Sequence, residues 1–181
     1  MFGAVSGFDS LEECFEDYTS HIKAIETGLS SDPPMNWRLS ALDNITLISN
    51  SDAHSPAKMG REANIFDTDT SYSSIANAIE TRQGYLGTIE FFPEEGKYHY
   101  DGHRACSVSL SPEETIQHGY LCPKCGRRVT VGVLHRAEKL ADRPSGFKPD
   151  NAYPYFSLIP LAEVISETLG VGVASKAVEM E

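Results

Sequence analysis

A chain of 181 residues has room for one domain of ordinary size or two small ones, and none for a large multidomain machine. With 40% hydrophobic and 23% charged residues it has the composition of a folded globular protein, which excludes the disordered and fibrous classes. A net charge of −11 repels phosphate backbones on average, yet residues 122–148 hold seven Lys and Arg against Glu138 and Asp142, a local charge of +5 in a background of −16.

The start Met-Phe-Gly-Ala-Val-Ser-Gly-Phe has no basic region ahead of its short apolar run, and no stretch reaches the ~18 apolar residues of a membrane span. The chain reads as cytoplasmic, without a membrane partner. Ser10 followed by Glu13 is a capping-box signature, and Leu11, Cys14, Phe15, Tyr18 and Ile22 recur at helical spacing, which predicts a helix over 10–20. Its acidic face reads as solvated surface. Residues 22–26 predict a short strand ending at Glu26, followed by a turn-rich loop from Thr27 to Pro34. A helix over 35–42 then leads to the β-branched run Ile45-Thr46-Leu47-Ile48-Ser49, a strand of the kind buried in a parallel sheet. Residues 71–83 predict an amphipathic helix and 85–92 a strand leaving this α/β unit, so a boundary is placed near 93. Beyond it the elements shorten, with helices expected at 111–118, 132–142 and 159–169.

Two groups of residues carry chemistry. Asn50-Ser51-Asp52-Ala53-His54 stands directly after the buried-type strand, where loops at the C-terminal strand ends form the site in α/β folds. A carboxylate and an imidazole two residues apart can share one divalent metal that activates water for attack on phosphorus. As a lone motif, D-x-H reads more readily as a loop in which Asp52 caps the next segment and His54 packs, and it is the flanking sequence that shifts the balance. The second group is His103-Arg104-Ala105-Cys106 and, fifteen residues on, Cys122-Pro123-Lys124-Cys125. Two such pairs have the spacing of a zinc ribbon, in which two tight turns complete a tetrahedron. Without a secretory signal, four cysteines fit metal ligands better than a disulfide framework. A His-Cys₃ zinc site results, with His99 as competing fourth ligand and an ordinary or redox thiol pair as the alternative. Four protein ligands leave no open coordination position, so this zinc is structural. Arg127, Arg128, Arg136 and Lys139 cluster just after it and are candidates for contacting nucleic-acid phosphates.

Ala24-Ile25-Glu26-Thr27-Gly28-Leu29-Ser30-Ser31-Asp32-Pro33, Met35-Asn36-Trp37-Arg38-Leu39-Ser40 and Ser49-Asn50-Ser51-Asp52-Ala53-His54-Ser55-Pro56 closely resemble the later half of the PHP metallophosphoesterase domain of the endonuclease Q family. The zinc segment, Thr130-Val131-Gly132-Val133-Leu134-His135-Arg136 and the run from Tyr153 to Leu161 resemble the same family in collinear order. The resemblance implies an α/β chain: the C-terminal half of a distorted (β/α) barrel over 1–93, a zinc-binding module over 94–148, and a helical segment over 149–181. It implies a metal-dependent DNA repair endonuclease that cuts on the 5′ side of deaminated bases such as uracil and hypoxanthine. Asp52 and His54 match the barrel's last metal-binding motif, for Zn²⁺, Mg²⁺ or Mn²⁺, while His103, Cys106, Cys122 and Cys125 match the zinc insertion. Glu26, at a strand end, is a further candidate for the site; Ser30, Ser31 and Arg38 are either substrate-facing or ordinary turn residues.

The family's N-terminal half, with its H-x-H pair and further His and Glu ligands, has no counterpart in this sequence. The resemblance therefore implies a central fragment, inactive alone, whose partner is a chain supplying the missing half. Two other classes of function stand beside this one: a non-catalytic nucleic-acid-binding zinc module, and a PHP phosphatase of a small phosphate ester.

Overall fold

The structure is a computed structural model and describes Gly3 and residues 7–179. The apolar run at the N-terminus lies largely outside the described residues, as does the end of the helical segment at Met180 and Glu181. The fold is mixed α/β. The first helix, α1 (Leu11–Phe15), starts at Ser10, whose hydroxyl accepts the Glu13 N–H, and Glu13 in turn accepts from the Asp9 N–H at 2.7 Å. It ends five residues earlier than its periodicity predicts, because Glu16 takes a left-handed φ of 48° and the chain continues as 3₁₀ turns through His21.

Strand β1 (Ala24–Glu26) and strand β2 (Thr46–Ile48) pair in parallel, as the buried-type run predicts, with Ala24 opposite Thr46 and Glu26 opposite Ile48. Between them α2 (Pro33–Trp37) begins two residues before its predicted start, since Asp32 caps it and prolines are favoured in a first turn. The core here gathers Leu11, Leu39 and Leu42, with Ile25, Ile45 and Leu140 against them. A second sheet holds β3 (Ala63–Phe66), β4 (Tyr85–Glu90) and β7 (Tyr155–Ser157) in the order β3-β4-β7, antiparallel then parallel. Helix α3 (Tyr72–Thr81), capped by Ser71, joins β3 to β4. Thus β4 is the middle strand of this sheet, and the chain returns to it only after the cysteine-rich stretch.

That stretch starts from the hairpin of β5 (Asp101–His103) and β6 (Val108–Leu110) and continues through α4 (Pro112–Gln117) and α5 (Val133–Leu140). Its own core is small: Leu110, Cys122 and Val129, with Cys106 and Val108 beside them. Helix α4 carries a complete capping box between Ser111 and Glu114. Gly132, just before α5, sits so close to the 99–100 backbone that a Cβ would lie 2.4 Å from the His99 carbonyl oxygen. Helices α6 (Leu161–Leu169) and α7 (Lys176–Glu179) close the described chain, and no helix among the described residues is long and apolar enough to cross a membrane.

Candidate functional site

His103, Cys106, Cys122 and Cys125 converge. One donor atom from each lies within 4.8 Å of all the others, and Cys125 Sγ is 3.3 Å from His103 Nδ1. Around a tetrahedral zinc with Zn–S of about 2.3 Å the donors would stand roughly 3.5–3.8 Å apart, so this set fits a four-coordinate structural site after a small contraction. The local backbone explains the convergence. Each pair sits on a tight turn closed by a left-handed residue, Ser107 (φ 49°) after the first and Gly126 (φ 70°) after the second. The second turn is further closed by hydrogen bonds from the Gly126 N–H to the Cys122 carbonyl and from the Cys122 N–H to the Arg127 carbonyl. Burial opposes ionisation of the Cys122 thiol, but hydrogen bonds from the N–H groups of Lys124 and Cys125 and from the Cys125 and His103 side chains together outweigh it and draw its pKa down to about 6, toward the thiolate a metal requires. The competing ligand lies elsewhere: His99 is 3% exposed and its Nδ1 is 3.0 Å from the Ser30 carbonyl oxygen.

The residues at the ends of β1 and β2 form a second locus. Glu26 and Asp52 line one open cleft, together with Ser30, Ser31, Asn50 and Tyr98. Asp52 holds a left-handed φ of 46°, a conformation that Asp and Asn tolerate better than other non-glycine residues. His54 is exposed, with its Nδ1 2.9 Å from the Asp52 carbonyl oxygen and 3.9 Å from Asp52 Oδ1. Among the described residues the His-Cys₃ cluster is the group of three or more His, Cys, Asp or Glu side chains that could hold a metal, so Asp52, His54 and Glu26 do not make such a group. Ser31 is buried, donating its hydroxyl to the Thr27 carbonyl and accepting from Asn36, which makes it a loop fastener. Arg38 is bound bidentately to Glu138 at 2.5 and 2.9 Å.

What holds the cleft was not visible in the sequence motifs. Asn64 of β3 grips Ser49 from both sides, its Oδ1 accepting the Ser49 N–H and its Nδ2 donating to the Ser49 carbonyl, while Arg61 donates to the Ser51 carbonyl. Below, Glu90 Oε2 accepts from the hydroxyls of Thr27 and Ser49, the residues that leave β1 and β2. Glu90 is 0% and Glu62 2% exposed, and each keeps one carboxyl oxygen with no hydrogen-bond partner. Desolvation by burial raises both to about 7, with hydrogen bonds and nearby carboxylates as smaller influences. Because the folded chain keeps these two protons between an unfolded value of 4.5 and about 7, their contribution to stability is complete below pH 4.5 and is lost as pH rises through 7. The expected loss is at most about 3 kcal/mol per group. Denaturant unfolding at pH 5 and pH 8 checks it: wild type should be less stable at pH 8, and the Glu62→Gln, Glu90→Gln double variant should have a flatter profile.

The basic cluster divides. Arg127, Arg128 and Lys139 are exposed, whereas Arg136 is 8% exposed and bound to Asp9 at 2.6 Å, and Arg143 is bound bidentately to Asp43. Arg136, read from the sequence as a phosphate contact, lies in α5 and ties that helix to the segment ahead of α1.

The fold can now be set beside known structures. The lesion-specific endonuclease Q of Pyrococcus furiosus superposes on 99% of this chain with a TM-score of 0.83 and 34% sequence identity. The chain has the fold of just under half of that endonuclease Q. A further endonuclease Q structure, a complex with a 27-mer duplex substrate bearing an abasic lesion at the active site, matches 96% of the chain at a TM-score of 0.84 and 35% identity. The endonuclease Q-like chain spans 46% and 44% of those two proteins. Among curated proteins it is 36% identical over 183 residues to an uncharacterized protein of Methanocaldococcus jannaschii and 33% identical over 138 residues to the uncharacterized protein YqxK of Bacillus subtilis. It spans 22% and 34% of their lengths. No family model matches the chain.

Proposed function

We propose that this chain is part of a metal-dependent DNA repair endonuclease that cleaves the phosphodiester bond 5′ of a deaminated base such as uracil or hypoxanthine. The observation that carries the reading is the superposition on endonuclease Q over 99% of the chain, which includes both the cleft of Glu26 and Asp52 and the His-Cys₃ cluster. In this reading residues 1–93 are the C-terminal half of a PHP-type barrel, 94–148 a zinc-ribbon-like module and 149–181 the start of a helical region.

Asp52 and His54 would hold a divalent metal, which when bound supplies an activated water and charge neutralisation at the scissile phosphate. The chain's own residues do the positioning. Asn64 and Arg61 fasten the loop that presents Asp52, and Glu90 fastens the strand ends beneath it. Glu26 brings a further carboxylate to the cleft. A phosphodiesterase site needs more ligands than these, and the proposed source is the portion of the protein corresponding to the rest of endonuclease Q, on the same or a second chain. The zinc module holds its turns rigid beside Arg127 and Arg128, which would meet DNA phosphates.

The assembled protein should nick uracil- or hypoxanthine-containing duplexes in the presence of a divalent metal and leave a small phosphate monoester intact. Binding without cleavage would favour the non-catalytic zinc module, and hydrolysis of the monoester alone would favour the phosphatase. The exposed arginines give a separate expectation. Arg127→Ala with Arg128→Ala should weaken DNA binding about equally on all sequences and reduce the slope of log K against log salt by about 2. An unchanged slope would make these arginines plain solvated surface.

A further inference from the structure

Phe8, Phe15 and Tyr98 are exposed aromatic residues that border the cleft, and Tyr98, the most exposed of the three, has no part in the chemistry assigned to it. Tyr98 is 59% exposed and lines the same depression as Glu26 and Asp52. It also borders a second groove that runs past Tyr100 and Arg104 toward the first turn of the cysteine cluster. The Lys97 ammonium stands 5.2 Å from the Tyr98 ring centroid. The charges lining that groove are mixed, Glu94 and Glu95 against Lys97 and Arg104, so the exposed aromatic faces stand out as its ligand-binding feature.

The backbone under Tyr98 is fixed from three sides while the ring is left in solvent. Val133 and Leu134 donate their N–H groups to the carbonyls of Tyr98 and His99, His99 is anchored at the Ser30 carbonyl, and Gly132 lets α5 approach the 99–100 backbone without a side chain between. The Tyr100 ring is held edge-on against the His99 ring at 4.7 Å. A tyrosine on a fixed backbone has only its own two χ angles to order on binding, a low cost for a large contact area and a property of ligand-contacting surface.

Resting on the endonuclease reading above, we propose that Tyr98, with Tyr100 next along the groove, is a stacking platform for unpaired nucleobases of the DNA strand that enters the Asp52 cleft. Every base presents a π face, so such a platform binds single-stranded or locally opened DNA with little regard to sequence, and Lys97 adds a cation beside the ring. Partial opening of the duplex around a lesion would expose the bases that it takes up.

The test uses the 181-residue chain and oligonucleotides containing 2-aminopurine, whose fluorescence falls on stacking. Wild type and Tyr98→Phe should bind the single strand and quench alike, whereas Tyr98→Ala should bind it about tenfold or more weakly with the quench lost. Fully paired duplex should bind all three equally, and thermal unfolding should not change, since the ring is exposed. Tyr98→Ala binding and quenching like wild type would overturn the proposal, as would equal losses on single strand and duplex. A wild-type chain that bound neither would overturn the nucleic-acid reading itself and the platform with it.

Discussion

Cys122→Ser should release the metal and unfold the segment from about His103 to Thr130, while the β1–β2 and β3–β4–β7 sheets persist. The expectation follows from the size of the core in that segment. Leu110, Cys122 and Val129 are its buried apolar residues, too few to offset the ordering of nearly thirty residues at about 1–2 kcal/mol each for the backbone alone. A structural zinc supplies on the order of 10–16 kcal/mol in small peptides, so a zinc held by these four residues would be the larger contribution. Elemental analysis of wild type should give one zinc per chain. Amide exchange should then show protection lost between 103 and 130 in the variant or after chelation, and kept at Ile25, Thr46 and Ile89. A zinc-free protein with wild-type exchange in that segment would refute the site.

The second large effect concerns the cleft. Asp52→Asn should abolish metal-dependent cleavage of uracil-containing DNA by the assembled enzyme, and His54→Ala should do the same. Losses should exceed the roughly 10–100-fold typical of losing an outer partner of a metal ligand. The Asn variant is the informative one. Asn accepts the left-handed conformation of Asp52 as readily as Asp does, so the change removes charge and metal affinity without straining the loop. Single-turnover cleavage, together with the metal content of the cleft, measures the effect. An assembled enzyme that cuts normally with both substitutions would remove these residues from the site.

Local rules reached much of this fold. The parallel pairing of β1 and β2 follows from the β-branched run 45–49, and α3 to α6 follow from periodicity and caps, as with Ser111 and Glu114. The metal cluster was legible because two short turns with x₂ spacing converge almost wherever the intervening chain runs. Contacts distant in sequence were not legible. Strand β3 is four residues containing an asparagine, a residue that strands disfavour, and its worth lies in the grip of Asn64 on Ser49. Strand β7 is equally short and pairs with a strand some 65 residues earlier. Glu62 and Glu90 look like ordinary surface acids in sequence, and only the packing of two sheets buries them. Arg136 shows the converse: charge pattern cannot tell an arginine facing solvent from one that bolts a helix to its neighbour.

The return of the chain to β4 bears on how this protein can be dissected. The cysteine-rich stretch leaves the sheet after β4 and re-enters it at β7, so it is tethered at both ends, like a handle fixed at two points. Cutting after residue 93 would therefore strip β7 from the sheet and leave one side of β4 as an open hydrogen-bonding edge, an invitation to aggregate. Because β4 and β7 are parallel, only a crossover of about a dozen residues or more in place of the handle would keep the sheet whole. The double tether also limits how far the handle can swing, so Tyr98 and Arg127, both carried on it, would keep a steady bearing on Asp52.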